Sequence, residues 1–322
     1  MLIDKFNRPI KYLRLSVTDR CNLRCYYCMP EEGIKFLPQK QLLSYEEMLR
    51  LCQILVKEGV EKIRITGGEP FVRRELMVFL TALSKLNGLQ KIALTTNGLL
   101  TMDYLEELKA LGILDLNISL DSLDEERFFQ ITRRKGLDKV IKTINRAYEM
   151  GFRIKINAVV MGEKNQDDLL PLARLAKNRA IDVRFIEEMP FNGGDAHTAS
   201  KVWNHHKILD FLHKEIPLQP SDFNSTAYRY EANGWKGKIG IIPAFSRTFC
   251  GSCDRLRMSA QGEVRTCLYA NSGLSLRDLI RNGKTDTEII QTLQTLIQQK
   301  AKNGFEAEKD LRSHDSMSVI GG

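Results

Sequence analysis

Six of the seven cysteines in this 322-residue chain fall into two triads. Cys21, Cys25 and Cys28 keep a C-x3-C-x2-C spacing, while Cys250, Cys253 and Cys267 keep C-x2-C-x13-C. Thiolates so spaced bind soft metals, and a cubane [4Fe–4S] cluster usually takes four of them. Three thiolates leave one iron open to a small molecule. Zinc is the rival, but a structural zinc site takes four ligands, and the histidine nearest the first triad in sequence is His197. No histidine occurs between His213 and His314, so the second triad is also one ligand short, with a zinc ribbon as its alternative. The seventh cysteine, Cys52, shares a helical face with Met48, Leu51 and Leu55 and reads as buried apolar filling.

A second chemistry is written in the basic residues. The net charge is +8, yet the longest basic run is Arg133–Arg134–Lys135, which reads as a solvated loop and not as a nucleic-acid footprint. A small, highly anionic substrate fits better than a polymer. Gly283-Lys284-Thr285 mimics the end of a phosphate loop, but Asp278 stands where that loop requires glycine. Phosphate must then be held by side chains, for which arginine's bidentate fork is suited. Arg255 and Arg257 alternate on a predicted strand just after Cys253 and so share one face; without the cysteines nearby, a solvated strand face would be the better reading.

The elements that must position these residues are legible over the first 190 positions. Strands are expected at Tyr12–Val17, Lys62–Thr66, Lys91–Thr95, Leu114–Leu120, Arg153–Val160 and Asp182–Ile186. Between them, amphipathic helices are expected at Tyr45–Glu58, Arg73–Leu86, Met102–Leu111, Leu137–Met150 and Asp167–Asn178. This alternation implies right-handed βαβ units. The expected fold is therefore α/β, a partial, open six-stranded parallel β/α barrel over residues 1–190. A smaller β-rich C-terminal domain over 191–322 would close the open side, with a hairpin around Asn233-Gly234 and a helix at Asp286–Lys302. Several strands run into polar or glycine-bearing turns: the first cysteine triad, Gly67-Gly68-Glu69-Pro70, Thr95-Thr96-Asn97-Gly98, Asn117-Ile118-Ser119 and Glu187-Glu188-Met189. In parallel barrels the C-terminal strand ends carry the active site, and together these ends read as one assembled site.

The first triad, with Tyr27 directly before its third cysteine, and the Gly67–Pro70 motif resemble the radical S-adenosylmethionine (SAM) superfamily. Within it the chain is similar, along essentially its whole length, to the GTP 3′,8-cyclase family of molybdenum cofactor biosynthesis. That likeness is carried by Arg14–Arg20, Arg64–Thr66, Thr95–Gly98, Asn117–Asp121, Lys155–Asn157, Arg184–Met189, Cys253–Arg257 and the terminal Gly321-Gly322. The resemblance implies two [4Fe–4S] clusters, held by Cys21, Cys25 and Cys28 and by Cys250, Cys253 and Cys267, with SAM chelating the first cluster's open iron. It implies SAM contacts at Tyr27, Gly68, Ser119 and Met189, and GTP contacts at Arg14, Arg64, Thr95, Lys155, Arg255 and Arg257. Arg257, Gly321 and Gly322 would assist catalysis. Glycine at 68 would let the backbone approach the methionyl group. The implied reaction removes hydrogen from ribose C3′ of GTP and joins that carbon to C8 of guanine, and the second cluster would hold the guanine edge. The region around His314–Met317 and the Arg133–Lys135 run depart from the pattern, away from the cysteines and the nucleotide contacts.

Two other readings stand beside this one: another radical SAM enzyme with an auxiliary cluster, such as a peptide-maturing one, and a non-catalytic iron–sulfur redox protein. Expected partners are cyclic pyranopterin monophosphate synthase downstream, an electron donor and a second copy of the chain, with neither nucleic acid nor membrane. The opening MLIDKFNRPI lacks the apolar core of a secretory signal, and clustered cysteines fit a reducing cytoplasm.

Overall fold

The computed structural model describes residues 1–30, 32–189, 203–224, 226–248, 250–271 and 273–309, together with Met317. Six parallel strands lie side by side in chain order: β1 (Tyr12–Ser16), β2 (Lys62–Thr66), β3 (Lys91–Thr96), β4 (Asp115–Ser119), β5 (Arg153–Val160) and β6 (Asp182–Glu187). The connections carry α1 (Tyr45–Lys57), α2 (Leu76–Ser84), α3 (Leu105–Ala110), α4 (Glu125–Thr132), α5 (Leu137–Glu149) and α6 (Gln166–Arg174). All six expected strands and five expected helices are present within a few residues of their predicted ends; α4 was not foreseen.

Beyond the sixth strand come α7 (His205–His213), β7 (Leu218–Asn224), β8 (Ala227–Ala232), β9 (Ile239–Ile242), β10 (Arg255–Met258), β11 (Glu263–Arg265) and β12 (Leu274–Ser275), then α8 (Leu276–Arg281), α9 (Asp286–Gln298) and α10 (Gly304–Glu308). These strands join both edges of the same sheet, whose order is β12-β11-β10-β1-β2-β3-β4-β5-β6-β9-β8-β7. β10 adds parallel to β1 and β9 parallel to β6, so the parallel part grows to eight strands and the sheet stays open. The expected hairpin is β8–β9, and Gly234 takes the positive φ that its turn requires. β7 contains Pro220, which a sheet tolerates at its edge, and the register shifts just past it.

One face of the sheet is apolar. Leu13, Leu15, Ile63, Ile65, Leu94, Leu116, Ile118, Ile154, Ile156, Val183 and Phe185 are buried under α1, α2, α5 and α6. In α1 the buried stripe is Met48, Leu51, Cys52 and Leu55, so Cys52 is apolar filling as expected. Ser44 and Glu47 cap that helix reciprocally. Gly283 ends α8 with a positive φ, and Thr285 caps α9 in a box with Glu288, so the Gly-Lys-Thr run is helix punctuation.

The other face carries Tyr12, Arg14, Arg64, Thr95, Asp115, Asn117, Lys155, Asn157, Asp182 and Arg184. Strands buried on both faces of a parallel sheet usually read as continuous apolar runs. Here they alternate, yet Arg64, Asp115 and Asn117 on the polar side are buried too. A polar face kept from bulk water is the raw material of a site.

Phe79 of α2 is 2% exposed and stacks on Tyr45 of α1 with ring centroids 5.0 Å apart. Phe79→Ala leaves a cavity where the helices meet the sheet and is expected to cost about 3–5 kcal/mol, read as a lowered urea midpoint at unchanged m-value.

Candidate active site

The loop after β1 holds Cys21, Cys25 and Cys28, and the turn after β2 braces it. The Gly68 N–H donates to the Thr18 carbonyl at 2.8 Å, and the Glu69 N–H donates to that of Arg20 at 2.8 Å. A Cβ at Gly68 would meet the Arg20 carbonyl oxygen at 2.3 Å and Cys21 Cβ at 2.9 Å. Glycine is therefore required at 68 by packing against the cysteine loop itself, a reason that the sequence did not disclose. Glu69 is fully buried, and its carboxylate accepts from the N–H groups of Asn97 (2.7 Å) and Phe71 (3.2 Å) and from the Thr96 hydroxyl (2.9 Å). Burial raises its pKa to about 7, against those hydrogen bonds. Asn97 in turn donates to Asn22 Oδ1 at 2.7 Å and points the same amide at Cys21 Sγ, 3.9 Å away.

The far side of the loop leans on α4. Arg24 and Tyr26 N–H groups donate to the carbonyls of Thr132 and Ile131, and the Arg133 guanidinium donates to those of Arg24 and Met29. Arg133, expected in a solvated loop away from the site, is thus a brace of the cysteine loop. The Tyr27 hydroxyl donates to Asp121 Oδ2 at 2.8 Å, while Asp121 Oδ1 accepts from the Val159 N–H. Ser119 lies two residues before Asp121, paired in register with Asn157, whose buried Oδ1 has no hydrogen-bond partner among the described residues. Tyr27, Gly68 and Ser119 therefore all sit at the C-terminal strand ends around the first triad. Met189, past the end of β6, packs instead in an apolar group with Tyr269, Ala307 and Cys267 of the second triad.

All seven cysteines are free thiols. Burial pushes the Cys25 thiol well up, and Asp121 and then Cys28 and Cys21 add to the shift, so the three sulfurs are close enough to repel one another's charge. Cys250 is raised by burial and likewise by Cys267 and Cys253. At Cys253 burial also raises the thiol, but Lys300 and Arg255 outweigh it and the net shift is downward. Among the described residues no three Cys, His, Asp or Glu side chains are gathered tightly enough to share one metal ion. A four-iron cube spreads its thiolates over several metal atoms. Two sets of three thiols, each set close enough for its members to influence one another's charge, fit such clusters.

Between the triads lies the basic face. Register pairs Arg14 with Arg64 on one side and with Arg257 on the other, and pairs Tyr12 with Lys62 and Arg255 in the neighbouring row. Thr95, Asn117, Lys155 and Asp182 form a third row across β3 to β6. The structure thus gathers Arg14, Arg64, Thr95, Lys155, Arg255 and Arg257 on one surface. Burial and then Arg257 push the Arg14 guanidinium well below its ordinary pKa; Arg257 falls to about 10 through burial and then Arg255, and its buried Nη1 has no hydrogen-bond partner among the described residues. Lys155 drops to about 8 through burial and then Arg184, partly offset by Asp115 and Asp182.

Sequence reading missed Tyr12, Lys62 and Arg184 as members of this face. Arg64 Nε donates to the Tyr12 hydroxyl at 2.7 Å. Burial raises that phenol, but Arg64, Arg14, Lys62 and Arg255 prevail and bring it to about 7. For Tyr12 and Lys62 the available signal was their spacing of two residues from Arg14 and Arg64 on the same strands; Arg184 has no such local signal. Gly321 and Gly322 lie outside the described residues.

The two cysteine sites stand at opposite ends of one strand pair. β1 and β10 run parallel; Cys21 follows the end of β1, whereas Cys253 precedes the start of β10. β11 runs antiparallel to β10, which returns Cys267 to the Cys253 end. Between them lie the Tyr12 and Arg14 rows, along ~13 Å of strand from Tyr12 to Ser16.

The family profile described as Radical SAM superfamily matches residues 15–176, and that of Molybdenum Cofactor Synthesis C matches residues 181–306. A GTP 3′,8-cyclase of Rhodopirellula baltica is 39% identical, over 100% of this chain and 92% of its own. The mitochondrial GTP 3′,8-cyclase of Arabidopsis thaliana is 41% identical, over 93% of this chain and 78% of its own. Molybdenum cofactor biosynthesis protein 1 of Drosophila melanogaster is 41% identical over 97% of this chain but 56% of its own, and the chain spans about half the length of the several relatives so named. Among solved structures, Streptococcus suis SuiB shares the fold at a TM-score of 0.58 and 16% identity, over 92% of this chain and 71% of that one. With cysteine loop, glycine turn and basic face all in place, the chain belongs to the radical SAM superfamily and, within it, to the family of the GTP 3′,8-cyclases.

Proposed function

We propose that this chain is a GTP 3′,8-cyclase, converting GTP to (8S)-3′,8-cyclo-7,8-dihydroguanosine 5′-triphosphate in the first step of molybdenum cofactor biosynthesis. The observation that carries the reading is the placement of a buried, cationic sheet face between two cysteine triads at opposite ends of β1 and β10. SAM bound at the first cluster would supply a 5′-deoxyadenosyl radical. Cys21, Cys25 and Cys28 would hold that cluster, and Cys250, Cys253 and Cys267 the second.

The protein's own groups do the rest. Arg14, Arg64, Arg255, Arg257 and Lys155 would offset the charge of a triphosphate, and its arrival would relieve the repulsion among neighbouring cations that lowers the pKa values of Arg14 and Arg257. The Thr95 hydroxyl, already within 3.4 Å of Arg64 Nη1, supplies a neutral donor. The Glu69–Asn97 and Tyr27–Asp121 contacts hold the cysteine loop and Tyr27 at fixed positions relative to that face. Arg64, Asp115, Asn117 and Arg257 are buried and the rest of the polar face is half-buried, which would limit the water near a reactive carbon centre.

The product would pass to cyclic pyranopterin monophosphate synthase, and an external electron donor would reduce the clusters, in the cytoplasm. Among the described residues no helix is long and apolar enough to cross a membrane. Anaerobic incubation of reconstituted protein with SAM, dithionite and GTP tests the proposal by mass spectrometry. 5′-Deoxyadenosine together with a cyclised isomer of GTP is the expected outcome; 5′-deoxyadenosine without a nucleotide product discards GTP as substrate.

The basic face gives a second test, calorimetry of GTP binding. Arg257→Ala should weaken binding by about 1–3 kcal/mol, the cost of a lost charge-assisted contact. Binding should also take up protons. Lys155, held near 8 in the free protein, regains its charge beside phosphate, and Tyr12, held near 7, regains its proton as a competing anion arrives. Both group pKa values rise on binding, so affinity is full below pH 7 and falls as pH climbs from 7 to 9. Affinity that is flat over that window, or greater at pH 9, removes these two groups from the site.

A further inference from the structure

Lys300, just past α9, is a buried cation whose surroundings differ from those of the substrate face. It is 2% exposed. Its ammonium donates to the Thr266 carbonyl at 2.7 Å, to the Arg255 carbonyl at 2.9 Å and to Cys253 Sγ at 3.7 Å. Those three acceptors use the three donors that an ammonium has. Among the described residues no carboxylate pairs with it. A buried charge without a counter-ion is costly, and two carbonyl dipoles with one thiol are a poor return for it. An anionic, thiolate-ligated cluster at the same spot supplies the missing negative charge.

The chain around Lys300 is arranged to keep it there. Asp4 accepts from Arg8 Nε at 2.6 Å, and the same guanidinium donates to the carbonyls of Cys250 (2.9 Å), Ala301 (2.8 Å) and Lys302 (2.9 Å). The Gly304 N–H donates to Cys250 Sγ at 3.3 Å. Residues 300–304 therefore form a strap bound on one flank to the Cys250 turn and on the other, through Lys300, to Cys253 and the residue before Cys267. Within that strap Lys300 is the charged donor aimed at a sulfur.

We propose that Lys300 sets the reduction potential of the second cluster, its ammonium donating to the Cys253 sulfur and placing a fixed positive charge beside the iron. The inference rests on reading the second triad as a cluster site. Reduction adds one electron to the cluster, so a neighbouring positive charge and a hydrogen bond to a ligand sulfur favour the reduced form and raise the potential. Lys300 acts through Cys253 and is a positioning residue, with no contact to substrate required.

The test is a redox titration of full-length reconstituted protein followed by electron paramagnetic resonance, comparing wild type with Lys300→Met. It is repeated in chains carrying Cys21→Ala, Cys25→Ala and Cys28→Ala, where the second cluster alone reports. One midpoint is expected to move to a more negative potential and the other to stay, with Lys300→Arg restoring most of the shift. Should Lys300→Met fail to retain iron, Lys300→Gln replaces it, keeping a neutral donor in place of the charge, with the same expected direction. An unmoved midpoint at full iron loading, or an equal shift in Lys300→Arg, overturns the role of Lys300 while leaving the cluster reading intact. Wild-type triple-alanine protein that binds no iron sinks both.

Discussion

Like charges buried side by side are the constraint on which this molecule turns. Arg257, Arg14 and Arg64 are cross-strand neighbours on three adjacent strands, and their guanidinium groups face a surface largely closed to water. Exposed arginines would repel one another little, because water and salt screen them. Inside the fold the screening is lost, and burial together with Arg257 depresses Arg14. Tyr12 answers part of this strain: the surrounding cations overcome burial and draw its phenol down to about 7. An arrangement of this kind is stable only if the rest of the sheet supports it, and it is useful only if an anion of high charge arrives to relieve it.

The support comes from the opposite face. Leu13, Leu15, Ile63, Ile65, Leu116, Ile156 and Phe185 bury the apolar side of the same strands beneath four helices, so hydrophobic burial holds the register that the arginines oppose. The strand pair β1–β10 then sets the scale of the site, because its two ends lead to the two cysteine triads. Each triad is fixed by backbone contacts from elsewhere: the glycine turn after β2 and the end of α4 for the first, the 300–304 strap and Arg8 for the second. Metal sites, cationic face and apolar core are consequently one piece of architecture.

Much of this was legible in the residues. The βα alternation, the two triads and Arg255 with Arg257 are local patterns, and strand period alone places the two arginines on one side. What escaped notice depends on partners far away in sequence. Arg184 belongs to the cationic face only because β6 follows β5 in the sheet, and Tyr12 becomes special only once four cations surround it. Arg133 resembles any charged loop residue until its guanidinium is seen across the cysteine loop. α4 has few apolar residues, of which Phe128 and Ile131 are buried, too short a stripe for a periodic signal. β7 was hidden by its own Pro220, acceptable there because the strand lies at the edge. Lys300 falls inside the expected helix Asp286–Lys302, whereas the helix ends at Gln298 and the fold wraps Lys300 inside. Gly68 was singled out rightly, but its reason is the Cys21 loop pressed against it, a contact that no spacing rule contains.

A crystal structure of the reconstituted protein with GTP tests the central claim most directly. The triphosphate is expected on the face formed by Arg14, Arg64, Arg257 and Lys155, with the nucleoside lying between the two triads. GTP bound elsewhere, with those four side chains unmoved and without phosphate contact, would contradict the account.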